Sequence, residues 1–459
     1  MTTTGPAGGF TRRAHPASGM RPTVRFVLAC LLTAGWVGFG IWASEPGRHD
    51  LEQAINPVAA WVIPVMLAYI PGLVIGFMAA TLIVSPHHVL LLDPPPGRWP
   101  VGEWPCLTVV VAAWNEESVI ETTLERLVET TYPGDMQVVL ADNNSTDRTA
   151  EVAEAVAARL GLDYRRVFEP EPGKFHALNT VLDSVETPLV VTVDADTYLY
   201  PDALTYLAAR VTDRPQDQHV CACAGALVVE NAAENFLTRM QQWDYRLGIN
   251  GVKRMQAAYN SALVAQGAFS IYWTEDVRDV GGWPDAIGED IVLTWTMMGS
   301  RGIVQYEPLA LSATSVPARL GHFMRQRSRW ARGMFEGIHA NPPQHQPRII
   351  AKAVAGIDYL VPFLDIGYVF FWIPGLILAL LGYPLIVSWW SMLLIPITLV
   401  VYNTLRRWQE HHVFRAYDVD LPADRRGFWG YLLLYQALAS SASIRGYVQH
   451  LAGTTRRWR

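Results

Sequence analysis

At 459 residues the chain is longer than one ordinary hydrophobic core organises, so two or three folding units are expected. Its 51% hydrophobic and 17% charged residues, with a mean hydropathy of +0.14, lie between a soluble enzyme and a pure membrane protein. A formal net charge of −6 gives no global attraction to nucleic acid, and four scattered cysteines make neither a disulfide framework nor a zinc knuckle.

In chain order, residues 1–22 are rich in Thr, Gly, Pro and Arg and are expected to be disordered. Two apolar runs follow within 23–85, from Val24 to Ala43 and from Pro57 to Val84, each long enough to cross a bilayer. The short polar link between them makes them an antiparallel pair. A cleaved signal peptide is the competing reading of the first run, but its length and the span behind it argue otherwise.

Pro94-Pro95-Pro96 marks a linker, and a soluble unit of about 100–347 begins beyond it. Apolar runs such as LTVVVAA, MQVVLAD and LVVTVDAD alternate with helical patterns near Ser118–Glu129 and Thr149–Leu160. That alternation predicts an α/β domain, a mostly parallel sheet with helices on both faces. Two more candidate spans lie in 352–403, from about Val354 to Leu381 and from Leu385 to Tyr402. Asp358 and Asp365 near the start of the first suggest an interfacial or cavity-lining position.

The 404–459 segment is basic and contains a short apolar run, Phe428–Ser441. Arginines at the N-terminus, in 406–426 and in the Arg456–Arg459 tail place those parts, and the soluble domain, on the cytoplasmic side; by the resemblance set out below, the membrane is expected to be a bacterial inner one. The last run then reads as interfacial, with a fifth crossing as the alternative.

Several residues suggest chemistry. Asp194-Ala195-Asp196 ends an apolar strand, where open α/β sheets bind ligands, and offers hard oxygen donors suited to Mg²⁺ or Mn²⁺. A phosphatase of the Asp-x-Asp-x-Thr/Val type would need Thr or Val where this chain has Tyr198. Asp142 closes another strand, as a base-binding carboxylate or as an ordinary turn residue. Lys174 stands at a helix start, a place that suits an anion. Asp290, in Gly288-Glu289-Asp290, has the apolar surroundings of a general base, or caps a helix. Gln326, Arg329 and Trp330 share one helical face, an amide and a guanidinium for pyrophosphate and an indole for a sugar ring; a basic helix resting on lipid headgroups is the plainer reading.

Taken in order, these motifs resemble glycosyltransferase family 2, and within it the processive membrane synthases. Ala112-Ala113-Trp114-Asn115-Glu116-Glu117, the turn Asp142–Asp147, Gly173-Lys174 with Ala177-Leu178-Asn179, Val193-Asp194-Ala195-Asp196, Gly267-Ala268-Phe269, Gly281-Gly282-Trp283, Glu289-Asp290 and Gln326–Trp330 carry the resemblance over roughly Leu107–Met334.

It implies a GT-A-type nucleotide-sugar-binding domain inserted between N- and C-terminal transmembrane helices. Glu116 and Asp142 would contact the nucleoside, and Lys174 the nucleotide. Asp194 and Asp196 would hold Mg²⁺ or Mn²⁺ and the diphosphate, with Gln326 and Arg329 also on the diphosphate. Asp290 would be the catalytic base, and Trp330 would stack under the acceptor sugar.

The implied activity is inverting extension of a β-linked polysaccharide from a UDP-sugar donor, by resemblance UDP-N-acetylglucosamine, with the growing polysaccharide passed across the membrane. Membrane lipid is an expected partner and an accessory membrane subunit a possible one; nucleic acid is not expected. Transfer of a single sugar to a lipid, and a non-catalytic nucleotide-sugar-binding component, remain the alternatives. Two departures stand out: Asn143-Asn144 where Asp-Gly is usual, and Gly288 where cellulose and poly-N-acetylglucosamine synthases usually carry Thr. The second is more like hyaluronan and chitin-oligosaccharide synthases, whereas Arg329-Trp330-Ala331-Arg332-Gly333 is most similar to bacterial poly-β-1,6-N-acetylglucosamine synthases.

Overall fold

The computed structural model describes residues 21–84, 104–212, 219–387, 394–412, 414–417 and 424–453, with short strands at 3–4, 11–12 and 92–93. Most of the segment expected to be disordered, the Pro94–Pro96 linker and the Arg456–Arg459 tail lie outside the described residues.

Three described helices are long and apolar enough to cross a membrane: Pro22–Ala43, Pro57–Val84 and Ile349–Leu380. The fourth expected span falls partly outside the described residues, and a helix occupies Leu394–His412.

Between the second and third of these helices lies the α/β unit. Its strands are β1 (Leu107–Ala113), β2 (Met136–Asp142), β3 (Tyr164–Phe168), β4 (Leu189–Asp194), β5 (Thr197–Leu199), β6 (Val220–Val229), β7 (Phe269–Trp273) and β8 (Ile303–Thr314). They form one sheet in the order β3-β2-β1-β4-β7-β6-β8-β5. β1 to β4 pair in parallel, β7 runs antiparallel to both neighbours, and β8 is again parallel to β6. Strands β1, β2, β4 and β6 are Val- and Ala-rich and mostly buried on both faces, as continuous apolar runs require, whereas the edge strand β3 is partly exposed along its length.

Helices α1 (Ile120–Val128), α2 (Thr149–Leu160), α3 (Lys174–Leu182) and α4 (Ala203–Thr212) supply the cover, each with an apolar stripe in the core. Then α5 (Phe236–Trp243) continues through a π turn, Asp244–Ile249, into α6 (Asn250–Ala257). Helix α7 (Glu289–Gly299) precedes β8, and α8 (Leu320–Ala340) follows it.

Parallel register puts the chemistry on one edge. Ala113 pairs with Asp142 and Ala112 with Asp194, so three strands end together. The segment before β7 reaches the same edge, where the Ala268 carbonyl accepts the Asp194 N–H at 3.1 Å.

The chain finishes in a helical segment of Arg425–Gly430, a π turn Tyr431–Tyr435, and α9 (Gln436–Leu451). The last apolar run lies within it, packed along α8 and against the third long helix. That packing accounts for Asp365: its Oδ1 accepts from the Ser440 hydroxyl and its Oδ2 from the Tyr447 hydroxyl, both at 2.6 Å. A buried carboxylate is tolerated because α9 satisfies it.

Asp365→Leu is therefore expected to lower the thermal midpoint in detergent by several degrees, since stranding a buried hydroxyl costs about 1–3 kcal/mol. Adding Ser440→Ala to that background should recover part of the loss; a strictly additive double variant would count against the pairing.

Candidate active site

Two loops are laced at the rim of β1 and β2. Asn115 has φ +57°, a left-handed conformation that Asn tolerates, and its Oδ1 accepts the Thr146 N–H at 2.8 Å. The Glu116 N–H donates to Thr149 Oγ1 at 2.7 Å. This turns the Glu116 side chain toward Asp194 and Asp196. Burial, then Asp196 and Asp194, push its carboxyl up to about 7.

Asp142 is fully buried. Arg166 of β3 donates to its Oδ2 from Nε at 3.0 Å and Nη2 at 2.6 Å, and the Ser145 N–H donates to Oδ1 at 3.0 Å. The structure thus sets Asp142 below the surface as a brace under the turn. Asn143, a departure from the family pattern, points outward and joins two loops: its Oδ1 accepts the Gly173 N–H at 2.8 Å and its Nδ2 donates to the Glu171 carbonyl at 2.7 Å. The Asn amide holds the residue immediately before Lys174.

Lys174 opens α3 and forms an ion pair with Asp194. Burial opposes its charge, but Asp194, Glu289 and Asp290 outweigh that and hold its pKa above the usual value. A Cβ on Gly267 would come 2.8 Å from Lys174 Nζ, so a glycine there keeps the ammonium's path open. Asp196 is pushed up to about 6, by burial first and Asp194 second, with Lys174 pulling the other way.

Glu116, Asp194 and Asp196 form an all-oxygen donor set of the kind hard divalent cations take. Among the described residues, no three His, Cys, Asp or Glu side chains converge tightly enough to hold a metal by themselves. The set fits an ion held by two aspartates whose other positions go to water and phosphate, as Mg²⁺ commonly is.

On the facing side, Asp290 Oδ2 accepts the Gly267 N–H at 3.1 Å and Oδ1 accepts the Ile291 N–H at 2.8 Å. Glu289 beside it is buried, and burial followed by Asp290 pushes its carboxyl up to about 8. Sequence reasoning missed Glu289 as a titrating group, because only the fold shows that it faces inward.

Helix α8 docks onto this turn at very short range. A Cβ on Gly288 would lie 2.6 Å from Gly333 Cα, and one on Gly333 would lie 2.8 Å from Gly288 Cα. Glu336, one turn on, accepts the Ile287 N–H at 2.7 Å and the Gly288 N–H at 3.4 Å. Along the same helix, Gln326 is half-buried with its Oε1 free of any protein hydrogen bond, Arg329 is partly exposed, and Trp330 is 38% exposed. The Trp330 ring lies 6.5 Å from that of Tyr245, and Tyr245 in turn feels the charges of Asp196 and Asp194. The fold therefore links Glu116, Lys174, Asp194, Asp196, Glu289 and Asp290 electrostatically, docks the Asp290 turn on α8, and leaves Asp142 buried under its own turn.

A curled, mostly parallel sheet with this acidic carboxyl edge is a GT-A-type fold. Residues 105–333 match the glycosyltransferase like family 2, and that domain of the chain belongs to it. An N-acetylglucosaminyltransferase of Mesorhizobium japonicum is 32% identical over 258 residues, 53% of this chain and 59% of that protein. A poly-β-1,6-N-acetyl-D-glucosamine synthase of Staphylococcus aureus is 30% identical over 237 residues, 51% of this chain and 56% of that protein. The matches thus span little more than half the length of these curated relatives. In fold, the chain is similar to a Pyrobaculum calidifontis mannosyltransferase solved with GDP-mannose and Mn²⁺, with a TM-score of 0.55 and 20% identity over 86% of this chain and 99% of that one.

Two outcomes follow from the geometry. Gly288→Thr should cut turnover at least tenfold by forcing α8 away, with little change in nucleotide affinity; normal turnover would show that the contact can relax. For Glu289 the folded pKa lies above the unfolded one, so its contribution to stability is present below about pH 4.5 and lost as pH rises through about 8. Glu289→Gln should therefore gain thermal stability relative to the unsubstituted protein as pH is raised from 5 to 9. A pH-independent difference would place that titration elsewhere.

Proposed function

We propose that this chain is a membrane-embedded, inverting, metal-dependent glycosyltransferase that extends a β-linked polysaccharide from UDP-N-acetylglucosamine and passes it across the membrane. The observation that carries the reading is Lys174, ion-paired with Asp194 of the Asp-Ala-Asp motif and within electrostatic reach of Asp290, whose carboxylate is fixed by the Gly267 and Ile291 amides. The names of the sequence relatives favour N-acetylglucosamine as the transferred sugar. Long apolar helices on both flanks of the domain favour handling of the product within a bilayer. In this reading the domain faces the cytoplasm, where nucleotide sugars are made.

Under this reading, Asp290 accepts the proton of the acceptor hydroxyl while the hydroxyl's oxygen bonds to the anomeric carbon. The bond from that carbon to the diphosphate breaks on the opposite face, which inverts the centre. Gly267 N–H and the start of α7 keep the carboxylate aimed. Lys174, Gln326 and Arg329 meet the charge that develops on the departing UDP, and Trp330 offers a flat face to the acceptor ring. A Mg²⁺ or Mn²⁺ held by Asp194 and Asp196 would add Lewis-acid neutralisation of the diphosphate. Asp142 acts through Arg166 and Ser145 by holding the turn on which the nucleoside rests.

Inverted membrane vesicles given labelled UDP-N-acetylglucosamine with Mg²⁺ or Mn²⁺ should make high-molecular-weight product, and chelator should abolish it. Asp290→Asn should lower turnover by at least about a thousandfold while leaving UDP affinity within a few-fold. Labelled lipid without polymer would move the reading to single-sugar transfer. Full turnover by Asp290→Asn would remove Asp290 as the base.

A further inference from the structure

Arg327 lies between the Gln and Arg–Trp of the α8 signature and has no role in the reading above. It is 7% exposed, a full positive charge inside the protein. Its Cζ stands 4.1 Å from the Trp330 ring centroid, 5.3 Å from Phe323, 5.7 Å from Tyr435 and 5.9 Å from Tyr245. Asp244, in the π turn after α5, places Oδ2 3.1 Å from Arg327 Nη2. That same oxygen accepts the Tyr435 hydroxyl at 2.7 Å. Asp244 gives Arg327 charge balance but no aligned hydrogen bond, and Arg327 Nε and Nη2 are buried without an acceptor.

A guanidinium kept in place at that cost is explained by what it supports. We propose that Asp244, Arg327 and Tyr435 form a bracket that holds the Trp330 indole in position, so that the C-terminal helical segment controls the acceptor platform. The three residues come from three separate elements, the π turn, α8 and the turn leading into α9. Cation–π contact between a desolvated guanidinium and an indole contributes about 2 kcal/mol, enough to fix a ring with one face open. Elsewhere along α8 the C-terminal segment also grips it: Ser328 donates to Gln449 at 2.9 Å, and Phe335 packs on Tyr447 with ring centroids 4.9 Å apart. The three bracket residues are positioning residues, and the inference rests on Trp330 being the acceptor platform.

The test uses the full-length protein in membranes and two readouts. The first is oxidative footprinting of the Trp330 side chain by mass spectrometry, which needs no turnover. The second is polymer synthesis from UDP-N-acetylglucosamine with acceptor and donor varied separately. Tyr435→Phe removes one hydroxyl, and Asp244→Asn removes the charge but keeps an acceptor.

Both variants should raise Trp330 oxidation at least about threefold. They should also raise the acceptor KM by about tenfold, the scale of one charge-assisted hydrogen bond, and leave the donor KM unchanged. Arg327→Lys, which keeps charge but not the planar stack, should behave likewise. Because Tyr435→Phe changes a single oxygen, loss of folding is not expected to mask the result.

Unchanged Trp330 oxidation in both Tyr435→Phe and Asp244→Asn would overturn the bracket. If the unsubstituted protein made no product, the functional reading would fail while the footprint still decided the bracket. Raised oxidation with unchanged acceptor kinetics would overturn the link between the bracket and acceptor binding.

Discussion

The site is organised around Lys174, an ammonium set among several carboxylates. Lys174 pairs with Asp194 and lies close enough to Glu289 and Asp290 to feel both, while Glu116 and Asp196 feel Asp194, and the buried Lys253 lies within reach of Asp290. Two like charges 4 Å apart at an effective dielectric of 20 repel by about 4 kcal/mol, so Lys174 alone does not balance this set. The upward shifts of Glu116, Asp196 and Glu289 express the imbalance, with burial the larger cause in each. Such a site is poised to receive positive charge. A divalent ion arriving with a nucleoside diphosphate brings its own counter-anion, so binding relieves the carboxylates without burying net charge.

A second constraint fixes how far the Asp290 turn stands from α8. Gly288 and Gly333 touch backbone to backbone, and Glu336 ties the two amides before α7 into α8. The Asp290 turn and α8 therefore move as one body. This bears on the substrate question raised by Gly288. Its absent side chain has a packing cause, the Gly333 backbone, and so Gly288 does not report on which sugar is transferred. The conflict between that residue and the Arg329–Gly333 segment disappears.

The α/β alternation, the carboxyl-edge placement of the motifs and the apolar flanks were legible because each depends on local pattern. Strand runs, turn residues and a helix's i, i+3, i+4 face are written in neighbouring residues. What the sequence did not disclose depends on pairing across the fold. Asp142 looked like a ligand contact because its partner Arg166 lies on the adjacent strand, 24 residues away. Asn143 looked like a weakened base-binding turn until the amide was found holding Gly173. Arg327 looked like one of several basic residues on a lipid-facing helix, whereas burial separates it from Arg325 and Arg329. The role of the C-terminal run was likewise hidden, since hydropathy measures how apolar a segment is and not what it packs against.

That run also links the two halves of the molecule. Asp365 of the third long helix is satisfied by the Ser440 and Tyr447 hydroxyls of α9, and the same C-terminal segment supplies Tyr435 to Asp244 and Gln449 to Ser328. A shift of α9 relative to the long helix would strand the buried Asp365 carboxyl, and a shift relative to α8 would part Tyr435 from Asp244, the carboxylate that balances Arg327. Each loss is costly because it leaves a largely buried polar group without its partner. The register between the apolar helix and α8 is therefore set by polar contacts and does not rely on nonspecific apolar packing, which would let helices slide. Under the proposed function, in which a chain end passes from the α/β domain into a bilayer, that fixed register would keep Trp330 in line with the path of the product.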